Sequence, residues 1–276
     1  MSLRLSARFP LAGRGSGRGI WGATALTVSF NFSSTPNIES ELCSPRTPQE
    51  GGEQQSVCLA VAGVTMSADL SGALFWKEQS LLVVSDLHLE KGSSFAARGV
   101  LLPPYDTVAT LSRLSSAIAR HNPKTVIALG DSFHDRTAHE RLSAPDREAI
   151  AALQARRDWI WISGNHDPAL PSDLGGIVAS EVAIGPIVFR HEPTGGFGEI
   201  AGHLHPKARV ATRARWLERR CFASDGERLV MPAFGAYAGG LSIRDDAFAK
   251  IFASTAFVAH VLGDFRLHTI AAARCY

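Results

Sequence analysis

The sequence predicts a layered α/β domain, and three observations carry that prediction. Four apolar runs, 81–84, 125–129, 159–162 and 187–189, have the length and composition of buried strands. Segments with helical apolar spacing lie between the first three of them. Each run is followed within a few residues by a side chain able to hold a metal: Asp86 and His88, Asp131, Asn165 and His166, then His191. Strand, helix, strand, helix, strand is the signature of layers packed about a sheet.

Taken in order, residues 57–76 alternate well enough for a first hairpin turning around 69–72. Leu81-Leu82-Val83-Val84 reads as a strand buried on both faces. Val108, Leu111, Leu114 and Ile118 then recur at helical spacing, with Asp106 where a helix start wants a cap. Thr125-Val126-Ile127-Ala128-Leu129 is the second strand. Ser143-Ala144-Pro145-Asp146 sets a cap, a proline and an acid at a helix start, and Ile150 and Leu153 form the apolar side. Segments 159–162 and 187–189 supply two more strands. Near the C-terminus, 257–270 with Gly263-Asp264 at its middle suits a closing hairpin, a terminal helix being the alternative.

With 276 residues and 45% apolar content, the chain can bury a sizeable core and suits one catalytic domain, 56–276, plus an N-terminal extension, 1–55. That extension holds five arginines, no lysine and no acid before Glu39, amid many Ser, Gly and Pro residues. It reads as disordered or as mis-annotated translation upstream of the true start, with a mitochondrial presequence as the other reading. Glycine and arginine interrupt every candidate signal core, and no run reaches the 18 or so apolar residues of a membrane span. Cys43, Cys58, Cys221 and Cys275 are scattered without a C-x-x-C pair, so neither a zinc ribbon nor a disulfide framework is indicated and a reducing cytoplasm is the default.

Net charge is +2, and residues 56–276 carry 23 Lys and Arg against 22 Asp and Glu, which is no global nucleic-acid footprint. The distribution is less even. Lys207, Arg209, Arg213, Arg215, Arg219 and Arg220 gather just after the last histidine motif, opposed only by Glu218. Arg213, Arg215 and Arg219 are therefore candidate contacts to a polyanion backbone, with ordinary solvated arginines as the equal alternative.

Five segments concentrate the metal-seeking side chains: Asp86-Leu-His88, Gly130-Asp131, Gly164-Asn165-His166-Asp167, His191 and Gly202-His203-Leu-His205. In-line attack on phosphorus requires a nucleophilic oxygen at neutral pH and charge stabilisation on both attacking and leaving oxygens. Two divalent ions about 3.5–4 Å apart supply both. A carboxylate such as Asp131 can bridge them through its two oxygens, while imidazoles and an amide carbonyl complete each shell without cancelling its charge. The mixed nitrogen and oxygen donors favour manganese foremost, with iron or zinc otherwise, over calcium. Any one of these motifs is commonplace; the ordered set is not.

In this order the five motifs resemble the calcineurin-like metallophosphoesterases, whose pattern is D-x-H, G-D-x-x-D/H, G-N-H-D/E, H and G-H-x-H. The resemblance spans 57 to the C-terminus. It is closest to the bacterial ligase-associated DNA damage response endonucleases, through the stretches 86–92, 101–107, 189–193, 202–207 and 232–237. It implies a four-layer αββα sandwich of two mixed β-sheets flanked by helices. It also implies that Asp86, His88, Asp131 and His205 hold one ion, and that Asp131, Asn165, His191 and His203 hold the other. His166 would protonate the leaving oxygen, Asp167 would orient His166, and His134 would face substrate or support the ligands.

The implied activity is metal-dependent hydrolysis of phosphodiesters, as a DNA endonuclease working beside a DNA ligase, a helicase and a nuclease, with no membrane partner. Two alternatives stand beside it. One is a phosphomonoesterase or a small-molecule phosphodiesterase acting on nucleotides or cyclic nucleotides; the other is a catalytically quiet metal-binding module of a repair complex.

Overall fold

The computed structural model describes residues 56–211, 215–252 and 256–276. The expected N-terminal extension, 1–55, and Arg213 lie outside the described residues.

Seven strands form the first sheet in sequence order: β1 (Ser56–Val61), β2 (Val64–Asp69), β3 (Leu74–Trp76), β4 (Leu81–Val84), β5 (Thr125–Leu129), β6 (Asp158–Ile162) and β7 (Ile177–Ala179). β1 to β4 pair antiparallel and β4 to β7 parallel, so the sheet is mixed. Parallel neighbours need crossovers. α1 (Lys91–Ala97) and α2 (Asp106–His121) make the first of them, α3 (Ala138–Arg141) and α4 (Ala144–Gln154) the second.

The second sheet holds β8 (Glu181–Ile184), β9 (Ile187–Arg190), β10 (Glu199–Ala201), β11 (Lys207–Ala211), β12 (Trp216–Ser224), β13 (Leu229–Val230), β14 (Val258–Leu262) and β15 (Leu267–Ala271). Its order is β15-β14-β12-β13-β10-β9-β8, with β11 paired to β12. β9, β10 and β13 run parallel and the other pairs antiparallel. α5 (Asp246–Ile251) precedes the closing hairpin of β14 and β15.

Period-2 alternation sorts side chains between layers. Leu81, Val83, Ile127, Leu129, Ile160 and Ile162 enter the core between the sheets, where they meet Ile187, Phe189, Ile200 and Phe222. Their neighbours Leu82, Val84, Val126, Ala128, Trp159 and Trp161 face outward and are covered by Leu111, Leu114 and Ile118 of α2 and Ile150 and Leu153 of α4. On the far side of the second sheet, Ala223, Val261 and Ala259 pack on Phe248 and Ile251 of α5. The layers are helix, sheet, sheet, helix, as the resemblance implied.

Local chemistry explains the element ends. Ser143 caps α4, its Oγ accepting from the Asp146 amide at 3.3 Å, with Pro145 in the first turn. The turn at 69–72 closes through the Gly72 amide to the Asp69 carbonyl at 2.9 Å and the Ser71 amide to Asp69 Oδ1 at 2.8 Å. Asp106 corrects the sequence reading. It is the first helical residue of α2 and not its cap; Tyr105 holds the cap position, and the Asp106 carboxylate accepts from the Gly92 amide at 3.0 Å. The side chain is spent joining α1 to α2 because both helix starts are buried side by side.

Candidate metal centre

Parallel pairing carries the motifs to one place. Beyond the ends of β4 and β5 the two chains continue side by side: the Asp86 amide donates to the Gly130 carbonyl at 3.3 Å, and the His88 amide to the Asp131 carbonyl at 2.9 Å. Beyond β9 and β10 the Gly202 amide donates to the His191 carbonyl at 3.0 Å. The C-terminal ends of parallel strands from both sheets thus face each other, the position where open sheets present side chains to ligands.

Two donor groups result. Asp86, His88 and His205 form the first, with His88 Nε2 3.3 Å from His205 Nε2 and Asp86 Oδ1 3.1 Å from His205 Nε2. Asp131, His191 and His203 form the second. In it Asn165 Oδ1 lies 2.9 Å from both His191 Nε2 and His203 Nδ1, those nitrogens are 3.2 Å apart, and Asp131 Oδ2 is 3.4 Å from His191 Nε2. All seven side chains expected to hold metal are brought together, Asp131 and Asn165 lying with the second group.

The fit to cations rests on donor chemistry. Two imidazole nitrogens facing at 3.2–3.3 Å repel through their lone pairs unless a positive charge lies between them. Burial pushes the His191 imidazole down, yet Asp131 and Asp86 outweigh it and hold it up to about 9. Burial pushes His88 down to about 3 despite Asp86, leaving it neutral with lone pairs to offer. Burial raises both aspartates, but the surrounding imidazoles prevail, taking Asp131 to about 2 and Asp86 below its usual range. Mixed N and O donors that draw in positive charge suit two divalent ions.

The backbone aims the donors. His191 Nδ1 donates to the Leu129 carbonyl at 2.9 Å, which fixes the tautomer and leaves Nε2 for a metal. The Ser85 hydroxyl donates to Asp86 Oδ2, leaving Oδ1 toward His205. Asp86, His88, Asp131, His203 and His205 all have left-handed φ, between 45° and 68°. Such backbone costs about 1 kcal/mol or more per residue and persists where surrounding bonds over-determine it. The glycines beside these residues answer close approach: a Cβ at Gly164 would overlap Asp131, and one at Gly202 would overlap Ser85 Oγ and Asp86 Oδ2.

Asp131 Oδ1 accepts the His166 amide at 2.8 Å, and Oδ2 lies 3.4 Å from His191 Nε2. One expectation is corrected. Asp167 does not orient the His166 ring. Its carboxylate accepts from the Gly164 and Phe133 amides at 3.0 Å each, because the G-N-H-D turn folds it inward. Burial raises Asp167 to about 7 against those bonds. The His166 ring is held instead by its Nδ1 donating to the His134 carbonyl at 2.7 Å, with Nε2 3.9 Å from Asp131 Oδ2.

His134 lies in a column of rings. Its imidazole stacks on His166 at 5.3 Å and on Phe95 at 5.8 Å, and burial together with the charges of Lys91, His166 and Arg98 lowers it to about 4. Sequence reading passed over Ser85, Leu129 and Phe95. Phe95 was open to detection as the residue one helical turn beyond Lys91.

Beside Asn165 and His191 opens a cleft of about 370 Å³, also lined by Ser163, Ser180, Glu181, Arg190 and Glu192. The Arg190 guanidinium is committed to Glu181 and lies 3.4 Å from buried Glu199. The basic run is largely committed too: Arg219 pairs with Asp264, Lys207 with Glu218, Arg220 bonds the Ala233 carbonyl, and Arg209 lies over Trp216. The 232–240 stretch packs beneath the site, its Phe234 amide donating to the Ser85 carbonyl and its Gly235 amide to that of Asp86. Cys221 and Cys275 are buried free thiols, and among the described residues no helix is long and apolar enough to cross a membrane.

Comparison with known proteins agrees with this geometry. Residues 80–254 match the family model for the calcineurin-like phosphoesterases. The solved structure of Pseudomonas putida nuclease MPE is similar at a TM-score of 0.60 and 26% identity, with 78% of this chain and 100% of that chain covered. Yfce, a phosphoesterase from E. coli, matches over 70% of this chain and 98% of its own, at 13% identity and a TM-score of 0.34. No curated protein matches. Since the matched span takes in every motif from Asp86 to His205, the chain belongs to the calcineurin-like phosphoesterase family and is a metal-dependent phosphoester hydrolase.

Proposed function

We propose that this protein is a phosphodiesterase acting on nucleic acid, an endonuclease of DNA repair. The observation that carries the reading is the pair of adjoining donor groups with His166 Nε2 3.9 Å from Asp131 Oδ2. Asp86, His88, His205 and Asp131 would hold one divalent ion; Asp131, Asn165, His191 and His203 the other, manganese first, iron or zinc otherwise. When bound, the ions supply charge stabilisation on attacking and leaving oxygens.

The chain's own residues do the rest. Because Nδ1 of His166 is spent on the His134 carbonyl, its Nε2 is the nitrogen that gives a proton to the leaving oxygen. Its side chain is 40% exposed, open to substrate and to solvent for reprotonation. Asp167 braces the turn carrying Asn165 and His166, and His134 positions His166 from its other side. Arg215 and Arg219, with Arg213, would contact a polyanion farther out.

Similarity to a nuclease supports the substrate class, resemblance to the ligase-associated branch supports work beside a DNA ligase, a helicase and a nuclease, and the scattered cysteines support a reducing cytoplasm. The cleft at Asn165, about 370 Å³, has small-molecule dimensions and favours a second reading, a phosphodiesterase or phosphomonoesterase for nucleotides. Metal analysis and parallel assays on supercoiled plasmid, an aryl diester and an aryl monoester separate the two. Nicking of plasmid with diester preference is expected. Monoester preference without plasmid nicking would establish the second reading.

A further inference from the structure

The rim of the metal centre is electrically lopsided. On the Asn165 side stand Glu181 and Glu192, and the one arginine there, Arg190, is committed to Glu181 and Glu199. On the His166 side the ring column ends at Phe95, with Arg98 Cζ 5.3 Å and Lys91 Nζ 5.9 Å from the ring centroid. Among the described residues no carboxylate forms an ion pair with either cation. Other basic groups near the site are compensated, as Arg141 is by Asp135.

These two cations are also placed in advance. Arg98 donates from Nη2 to Ser94 Oγ at 2.6 Å and from Nε to the Ser94 carbonyl at 3.2 Å. Lys91 is half-buried, and the acid near it, Asp106, is bonded to the Gly92 amide. A half-buried ammonium outside any ion pair carries a desolvation cost that Asp106 offsets only in part, and an arriving anion would offset more of it. Phe95 stands two ring spacings from His166, 5.3 Å and then 5.8 Å.

We propose that Lys91 and Arg98, held over the face of Phe95, bind the phosphate next to the scissile one in a nucleic-acid strand. This rests on the nucleic-acid reading above and adds to it a direction: the strand leaves the metals past His134 toward α1, and not through the acidic cleft. Both are positioning residues for substrate. Lysine supplies a point charge and arginine a fork, the usual pairing for phosphate.

Neutralising the flanking phosphate tests the assignment. The substrates are trithymidine, TpTpT, and its two analogues in which one or the other linkage is an uncharged methylphosphonate. For the wild-type holoenzyme, one analogue is expected to show KM raised roughly tenfold over TpTpT and the other little change, since a charge-assisted contact is lost on one side only. In Lys91→Met with Arg98→Met that penalty falls to within about twofold, and Lys91→Arg with Arg98→Lys restores it. With the holoenzyme, KM for TpTpT becomes less salt-dependent in the neutral variant than in wild type, by roughly 0.7 in logarithmic slope per lost contact.

A penalty of equal size in wild type and the neutral variant overturns the proposal, as does a wild type indifferent to both analogues while it cleaves TpTpT. Failure to cleave TpTpT, with an aryl ester hydrolysed normally, overturns the nucleic-acid reading itself and the flanking site with it.

Discussion

His166 Nδ1 and the main-chain oxygen of His134 are 2.7 Å apart, so the His166 imidazole is aimed by backbone from a different motif. The proton on Nδ1 is committed there, and Nε2 is left free. Substituting His166 by Asn keeps a donor toward the His134 carbonyl and removes the acid. Turnover of an aryl diester should fall by about 10²-fold or more, while metal analysis still returns two ions. Turnover near wild type would remove His166 from the mechanism.

Asp131 acts on both donor groups, its Oδ2 3.4 Å from His191 Nε2 and its charge felt by His88. Asp131→Asn halves the charge available for two dications, and metal content should drop from two ions to one or none, with activity below a hundredth of wild type. Chelation of the wild-type protein should abolish activity and lower the melting temperature, because the ions stabilise only the folded state. Return of both on adding manganese completes the test.

Gly202 leaves no room for a side chain. Its Cβ would sit inside Ser85 Oγ and Asp86 Oδ2, so Gly202→Ala must displace the ligand or the strand end. A loss of roughly 1–3 kcal/mol in urea unfolding is expected, together with weakened metal uptake at the first group. An alanine variant of wild-type stability and metal content would show that the close approach is not needed.

Acid sensitivity should arise far from the metals as well as at Asp86 and Asp131. Asp69 at the end of β2 is 1% exposed; burial pushes its carboxyl up, but His121, Ser71 and Arg120 prevail and hold it well below the usual range. A depressed folded pKa contributes stability above the unfolded value of about 3.9 and loses it as pH falls through the folded one. Asp69→Asn should therefore cost roughly 2 kcal/mol at pH 7 and lose less than wild type between pH 4 and 2. Parallel urea curves at both pH values decide it.

The β11–β12 hairpin offers a separate electrostatic test. Replacing Arg213, Arg215 and Arg219 with Gln should weaken binding of a DNA duplex and flatten its dependence on salt. Arg219 is engaged with Asp264 at 3.3 Å, an exposed pair weak enough to be exchanged for phosphate. Unchanged binding in fluorescence anisotropy would dismiss the hairpin.

Much of the molecule was legible in the chain itself. Apolar runs of four or five residues buried on both faces can only be central strands, and metal-seeking residues placed directly after them mark the strand ends where a site is built. Ser143, Pro145 and Asp146 announced α4 because capping is local chemistry. The seven donors that the resemblance implied, Asp86, His88, Asp131, Asn165, His191, His203 and His205, lie together in the fold. α1 and the short strands β10 and β13 were missed, being too brief to show a period.

Only the folded chain decided how those ligands are used. That Asp131 spends one oxygen on the His166 amide, that Asp167 serves the turn and not the imidazole, and that Asp106 ties α1 to α2 depends on which backbone amide lies nearby. Amides are identical along a sequence and differ only in position. Local sequence therefore determined the strands, the helix starts and the identity of the donors, while the assignment of each polar atom to a partner waited on packing that joins residues up to 134 positions apart.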